Sequence, residues 1–238
     1  LVTFDMGGTS SDVSLVRDGD AERTTDTSID GIPIRTPMVD VNTIGSGGGS
    51  VAWVDSGGAL RVGPRSAGAD PGPACYGNGG DEPTVTDANV LLGHVGDSTA
   101  LGGELSVDVA AAEAALEELA AEAGLGSARA AARGVYRVAN AKMTRAIREI
   151  TVERGFDPRA FGLVAFGGAG PMHAVGVADA LDIETVIVPV ASGVLSAYGL
   201  LDADERYDRV RTHLMPLADA DPDRVAAILR ELADDALA

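Results

Sequence analysis

The segment that most constrains this chain is its first. An apolar run, Leu-Val-Thr-Phe, ends in Asp5; Gly7, Gly8, Thr9 and Ser10 follow, and a second apolar run opens at Asp12. Two short β-rich runs joined by a Gly-Gly turn predict a hairpin. The same residues suit a phosphate or metal site. Turn N–H groups can form a concave anion nest, Gly7 and Gly8 permit positive φ and close approach, and Thr9 and Ser10 add hydroxyl donors. Asp5, at the strand end, can hold Mg2+ directly or through water, because that ion takes oxygen ligands and keeps several waters. Asp12 is a second candidate at the metal or the hairpin. The turn has no lysine, so it is not the usual lysine-bearing phosphate loop. On local pattern alone, a plain hairpin and a ligand site stand level.

The rest of the chain changes period twice. Residues 1–62 read as β: "ERTTDT" is a third strand, and "SVAWVDSGGALRVG" places two apolar runs around a turn, a second hairpin. Residues 63–100 are dense in Gly, Pro, Asp and Ser and predict a long ordered loop or set of turns. From Ser106 the pattern is helical, with Ser106 as cap and Gly124 as stop. A longer helix follows up to Gly155. Val135, Ala139, Met143, Ile147 and Ile150 form its apolar stripe, with Arg145, Arg148 and Glu149 off it. "FGLVAF" and "ETVIVP" read as buried strands, "SGVLSAYGLL" as a short helix and "DPDRVAAILRELADDALA" as a final amphipathic helix. This order predicts an α/β domain with a mixed sheet and flanking helices.

A second glycine cluster carries chemistry. Gly167, Gly168, Ala169 and Gly170 follow the "FGLVAF" strand, and Pro171 suits the first position of a helix. Bare glycines at a helix start let a flat or charged ligand approach the backbone; a tight β–α turn is the competing reading. The spacing is not that of a dinucleotide fingerprint, which excludes a Rossmann site. A third cluster, Asn42–Ser50, reads as a substrate-approach loop or a flexible connector. Arg61 and Arg65 are candidate anion clamps. Cys75 reads as a buried thiol, His173 as a polar residue at a helix start, and Lys142, the only lysine, as solvated.

Composition narrows the function classes. The formal net charge is -18, which argues against nucleic acid and anionic membrane surfaces as partners. The acidic, lysine-poor, alanine-rich balance is that of a salt-adapted protein. One cysteine leaves no intrachain disulfide or cysteine-based zinc cluster, which fits a reducing cytoplasm. No apolar run approaches the roughly 18 residues of a membrane span. Leu1 lies inside a strand pattern, which predicts a chain cut from something longer.

Taken together, "FDMGGTSSDVSLV", "VDVNTIGSGGGSVAWVDSGGALRVGPRSAGADPGPACYG", "EPTVTDANVLLG", "REITVERGFDP" and "AFGGAGPMHA" resemble the hydantoinase A/oxoprolinase family. The resemblance runs from Leu1 to about Asp204. That family includes ATP-dependent N-methylhydantoinase and oxoprolinase, and subunits of acetone-type carboxylases. The resemblance implies a lobe of the ribonuclease H-like, actin-like ATPase type over residues 1–204. Residues 205–238 would be a helical extension or the start of a further domain. The Asp5–Ser10 segment would be the second phosphate motif, with Asp5 on the Mg2+ side and Gly7, Gly8, Thr9 and Ser10 on phosphates. Gly167, Gly168, Ala169 and Gly170 would line the adenosine of ATP. The first phosphate motif would belong to an N-terminal lobe absent from this sequence. Ser11 stands where relatives often have Thr.

The implied chemistry is phosphorylation of a ring carbonyl oxygen in a cyclic amide or imide, followed by hydrolysis with a hydantoinase B-type partner. For the phosphoryl step, positioning and electrostatics carry most of the catalysis. A carboxylase subunit activating a ketone would use the same chemistry. A non-catalytic actin-like module, or a remnant of a split gene, is the reading from a different class.

Overall fold

A computed structural model describes residues 1–29, 31–35, 37–96 and 106–237. Residues 97–100, the end of the predicted 63–100 loop, lie outside the described residues. By packing, the chain divides into two compact units: Leu1–Glu22 with Val39–Tyr198, and Arg23–Met38 with Gly199–Ala238.

The first unit is built on a six-stranded mixed sheet. The opening segment folds as a hairpin of β1 (Val2–Met6) and β2 (Ser11–Arg17), in the register Thr3 to Ser14 and Asp5 to Asp12. The outer edge of β2 is shared by β3 (Asp20–Ala21) and β4 (Val41–Ile44), both antiparallel to it. On the other side, β1 pairs in parallel with β7 (Leu163–Phe166), and β7 with β8 (Val186–Ile187). A separate hairpin joins β5 (Ser50–Val54) and β6 (Leu60–Ser66), as its sequence predicts.

Strand period sorts the sheet's two faces. Val2, Phe4 and Met6 alternate with Thr3 and Asp5, and the register places Ser11, Val13, Leu15, Asn42 and Ile44 beside the apolar three. Val2, Phe4, Met6, Val13 and Leu15 are buried to 2% exposure or less. On this face lies α3 (Ala128–Ile150), whose Ala146 carbonyl accepts from the Asn42 amide at 3.3 Å. The predicted stripe Val135, Ala139, Met143, Ile147 and Ile150 is buried throughout. The opposite face carries Thr3, Asp5, Asp12, Ser14 and Thr43.

α1 (Val85–Leu92), α2 (Val109–Glu122) and α4 (Gly170–Asp179) also pack on α3. α1 corrects the reading of residues 63–100 as turns, and β6 also runs on to Ser66. A capping box nucleates α1: the Thr84 hydroxyl accepts from the Asp87 N–H, and the Asp87 carboxylate accepts from the Thr84 N–H at 2.8 Å. The fully buried Asp87 carboxylate also accepts from the Cys75 N–H at 2.8 Å. α2 is capped by Asp108, whose carboxylate accepts from the Ala111 N–H at 3.0 Å, two residues beyond the Ser106 expected. The "ETVIVP" strand is another correction: it is a two-residue edge strand with Ile187 and Val188 more than 40% exposed.

The second unit holds a small hairpin, Thr27–Ile29 with Ile32–Ile34, and the predicted final helix α6 (Pro222–Leu237); the short Leu195–Leu201 helix, α5, begins in the first unit, which includes its residues up to Tyr198. "ERTTDT" is therefore not one strand. The Thr24 hydroxyl accepts from the Asp26 N–H at 3.0 Å, a local turn that interrupts it. No helix among the described residues is long and apolar enough to cross a membrane.

Candidate functional site

The polar face of the opening hairpin sets Asp5 directly across from Asp12. Cross-strand neighbours lie about 5 Å apart at Cβ, and like charges in that position repel. Each carboxylate has one hydroxyl donor: Ser196 of α5 to Asp5 Oδ2 at 2.7 Å, and Thr43 to Asp12 Oδ1. Among the described residues neither forms an ion pair. Such an opposed pair is a cation-seeking arrangement. No cluster of three or more metal-ligating side chains occurs among the described residues, so a metal here would complete its shell with water or ligand oxygens.

The Gly7–Gly8 turn is clamped from below by the third glycine cluster. Gly48 N–H donates to Gly7 O at 2.9 Å, Gly49 N–H to Gly8 O at 2.6 Å, and the Ser11 hydroxyl to Ser46 O. Ser46 to Ser50 are all buried, which removes the flexible-connector reading. Thr86, in the first turn of α1, ties the cluster in turn: its N–H and its hydroxyl both donate to Gly48 O, at 2.8 and 2.9 Å. Among the described residues the N–H groups of Gly8 and Thr9 donate to no acceptor, so amides at the hairpin tip are free to meet an anion.

The second predicted glycine motif arrives from β7. Gly167 has φ +79°, and a Cβ there would lie 2.3 Å from Asp5 Oδ1 and 2.5 Å from Met6 O. Only glycine lets this turn cross Asp5. Ala169 N–H donates to Met6 O at 2.9 Å, fastening the motif to β1. The result is one cavity of about 240 Å3 that Gly7, Gly8, Gly168 and Ala169 line together with Gly48, Tyr76 and Thr86. Four of the ten sequence-predicted site residues therefore share one cavity. Asp5, Asp12, Thr9, Ser10, Gly167 and Gly170 do not line it. Gly170 starts α4 against the backbone of β1, its would-be Cβ 3.3 Å from Phe4 O.

Tyr76 and Thr86 carried no sequence signal as site residues. Tyr76 keeps its phenol proton, because burial, followed by Cys75 and Asp87, raises its pKa. The other candidates resolve as structural. Arg61 pairs with Asp55 at 2.7 Å and Arg65 with Glu82, so neither is a free anion clamp. Cys75 is buried and its thiol pKa is pushed up by desolvation first, then by Asp87; it is inert.

His173 sits in the first turn of α4, as its reading as a helix-start residue has it, but it is fully buried. Its Nδ1 meets Asn140 Oδ1 at 2.6 Å and its Nε2 meets Asn89 Nδ2 at 2.9 Å, while Asn89 Oδ1 meets His94 Nδ1 at 2.8 Å. Tyr136 stacks on the ring at 4.8 Å between centroids. Burial, with a smaller contribution from His94, lowers the His173 pKa to about 4.

The family model for hydantoinase/oxoprolinase matches residues 1–209. 5-Oxoprolinase 1 of Arabidopsis thaliana is 41% identical over 88% of the chain. The ATP-dependent caprolactamase of Pseudomonas jessenii, a solved structure, superposes over 100% of the chain with a TM-score of 0.82 and 41% identity. Nucleotide-free acetone carboxylase superposes over 99% with the same TM-score of 0.82 and 31% identity. Both superpositions bear out the α/β fold with a mixed sheet and flanking helices. The chain spans 35% and 34% of those two solved chains and 18% of the plant enzyme.

Proposed function

The chain belongs to the hydantoinase/oxoprolinase family, and we propose that it is the phosphate-gripping lobe of an ATP-dependent enzyme that activates a ring carbonyl by phosphorylation. The observation that supports this reading most is the convergence of three separate glycine clusters on one cavity lined by Gly8, whose backbone amide donates to no acceptor among the described residues. Gly8 sharpens it: a Cβ there would meet nothing within 4 Å. Its bareness serves space for a ligand, not packing.

In this reading the Gly8 and Thr9 amides meet phosphate oxygens, Ser10 adds a hydroxyl, and Gly167–Gly170 bound the adenosine side. Asp5 and Asp12 fit Mg2+, since two opposed carboxylates with one hydroxyl each suit a hard cation that retains water. When bound, the ion neutralises charge on the transferring phosphoryl group. The chain's own residues orient the nucleotide and hold its phosphates. The ring substrate, an N-terminal lobe and a hydantoinase B-type partner complete the enzyme in this proposal. A ketone-carboxylase subunit is the second reading, favoured by the equal TM-score with acetone carboxylase.

Asp5→Asn tests the metal-side assignment. Removing one of two facing charges should leave stability without ligand equal to or slightly above wild type. Mg-ATP affinity, measured by titration calorimetry on this chain and on the full-length protein, should fall roughly tenfold or more, the scale of a lost charged contact. Unchanged affinity would sink the assignment. Absence of Mg-ATP binding by both wild-type forms would sink the ATPase reading itself.

A further inference from the structure

A second cavity, of about 290 Å3, lies on the α3 side of the sheet, across the Gly45–Ser50 turn from the glycine cavity. Gly45, Ser46, Lys142, Arg145 and Glu149 line it, with Ile44, Pro64 and Ala146 as its apolar wall. Of these residues only Ser46 enters the site described above, through its backbone carbonyl, which accepts from the Ser11 hydroxyl.

Two features set this cavity apart from a surface dimple. The first is Lys142. Contrary to its reading as a solvated lysine, it is half-buried, and its ammonium donates to the Val62 carbonyl. An ammonium has three donors, and among the described residues Lys142 forms no ion pair with a carboxylate. Burial first, and the Arg61 charge second, lower its pKa, as expected of a cation held without its counter-ion. The second is Ser46. It is 1% exposed, and its hydroxyl has no hydrogen-bond partner. A buried hydroxyl left unpaired is costly, and Ser46 lines the same cavity as Lys142.

Charge selects the ligand. Glu149 is already satisfied: Oε1 accepts from Arg145 Nε at 3.1 Å and Oε2 from Asn42 Nδ2 at 3.0 Å. Arg145 and Glu149 cancel, so the lining carries one net positive charge, that of Lys142. A monoanion matches it; a phosphate dianion would bring a second charge into a strongly acidic protein. We infer that this cavity binds a small monocarboxylic acid, its carboxylate on Lys142 and the Ser46 hydroxyl and its apolar body against Ile44, Pro64 and Ala146. The inference is independent of the ATP reading. It also places the ligand next to the turn that supports Gly7 and Gly8, since Ser46 and Gly48 belong to one buried segment.

Because Lys142 is the only lysine, lysine labelled with 13C and 15N gives a single side-chain signal. That signal should shift saturably with cyclopentanecarboxylate, more weakly with acetate, and not saturably with inorganic phosphate or chloride. Ser46→Ala should raise the melting temperature without ligand, by removing an unpaired hydroxyl, and weaken cyclopentanecarboxylate at least tenfold. Lys142→Met should abolish its stabilising effect on melting. A lysine signal that drifts linearly with every salt, or that phosphate saturates as well as the carboxylate does, overturns the inference; the wild-type titration decides this even if a variant fails to fold.

Discussion

Gly47→Ala is expected to cost about 3 kcal/mol of stability, the upper range for forcing extra atoms into a packed interior, and with it most of the Mg-ATP affinity. A Cβ on Gly47 would sit 2.6 Å from Gly8 C, 2.6 Å from Thr9 N and 2.7 Å from Thr9 C. All three are backbone atoms, so no side chain can swing aside to relieve the clash. The turn would have to retreat from the hairpin tip, breaking the bonds from Gly48 N–H to Gly7 O and from Gly49 N–H to Gly8 O. Gly8→Ala is the matched control. Its methyl meets nothing within 4 Å, so stability should change by less than about 0.5 kcal/mol, as for a substitution that touches nothing. Mg-ATP affinity should nonetheless fall, because the methyl enters the cavity Gly8 lines. Urea unfolding and calorimetric titration of the two variants separate the two roles. Equal stability for Gly47→Ala and wild type would show that the third glycine cluster does not support the hairpin.

That contrast also shows what the sequence could and could not say. The opening hairpin was legible because Val2, Phe4 and Met6 alternate with polar residues, and two glycines interrupt the pattern. The α3 stripe was legible because five apolar residues recur at helical spacing, and a single interface buries them all. Gly47 was visible as a glycine, but its reason was not. It lies in backbone more than thirty residues upstream, and local pattern carries no information on such pairings. α1 was lost for a different cause. Its Val and Thr residues and its position after a Pro- and Gly-rich run read as turns, and the signal that outweighs them is the Thr84–Asp87 capping box, four residues in extent. The burial of His173 and Lys142 was not legible, because it depends on helices and strands distant in sequence.

His173 leads to the second large effect, a stability that falls as pH drops from about 6.5 to about 4. The hydrogen-bond network fixes its neutral form. Asn89 Oδ1 is engaged by His94 Nδ1, so the Asn89 amide nitrogen faces His173 Nε2, which must accept; the ring proton then sits on Nδ1 and donates to Asn140 Oδ1. A proton added at Nε2 would point at the Asn89 NH2 group, and turning that amide over would oblige His94 to move its own proton off Nδ1. Burial therefore holds the folded pKa near 4, against 6.5 for a free imidazole. Between those values the unfolded chain binds a proton that the folded chain refuses, so stability rises with pH. The contribution is fully present above pH 6.5, is lost progressively on acidification, and changes no further below pH 4. Its size is about 3 kcal/mol. His173→Gln removes the titration, so it should be less stable than wild type at pH 7, with that gap closing by about 3 kcal/mol at pH 4. A gap that stays constant across the window would mean that His173 does not carry the proton. The same window should govern the cavity. His173 sits in the first turn of α4, which begins at Gly170, and its bonds to α1 and α3 hold that helix start where Gly168 and Ala169 form the wall. Mg-ATP affinity of wild type should therefore weaken on acidification before the chain unfolds.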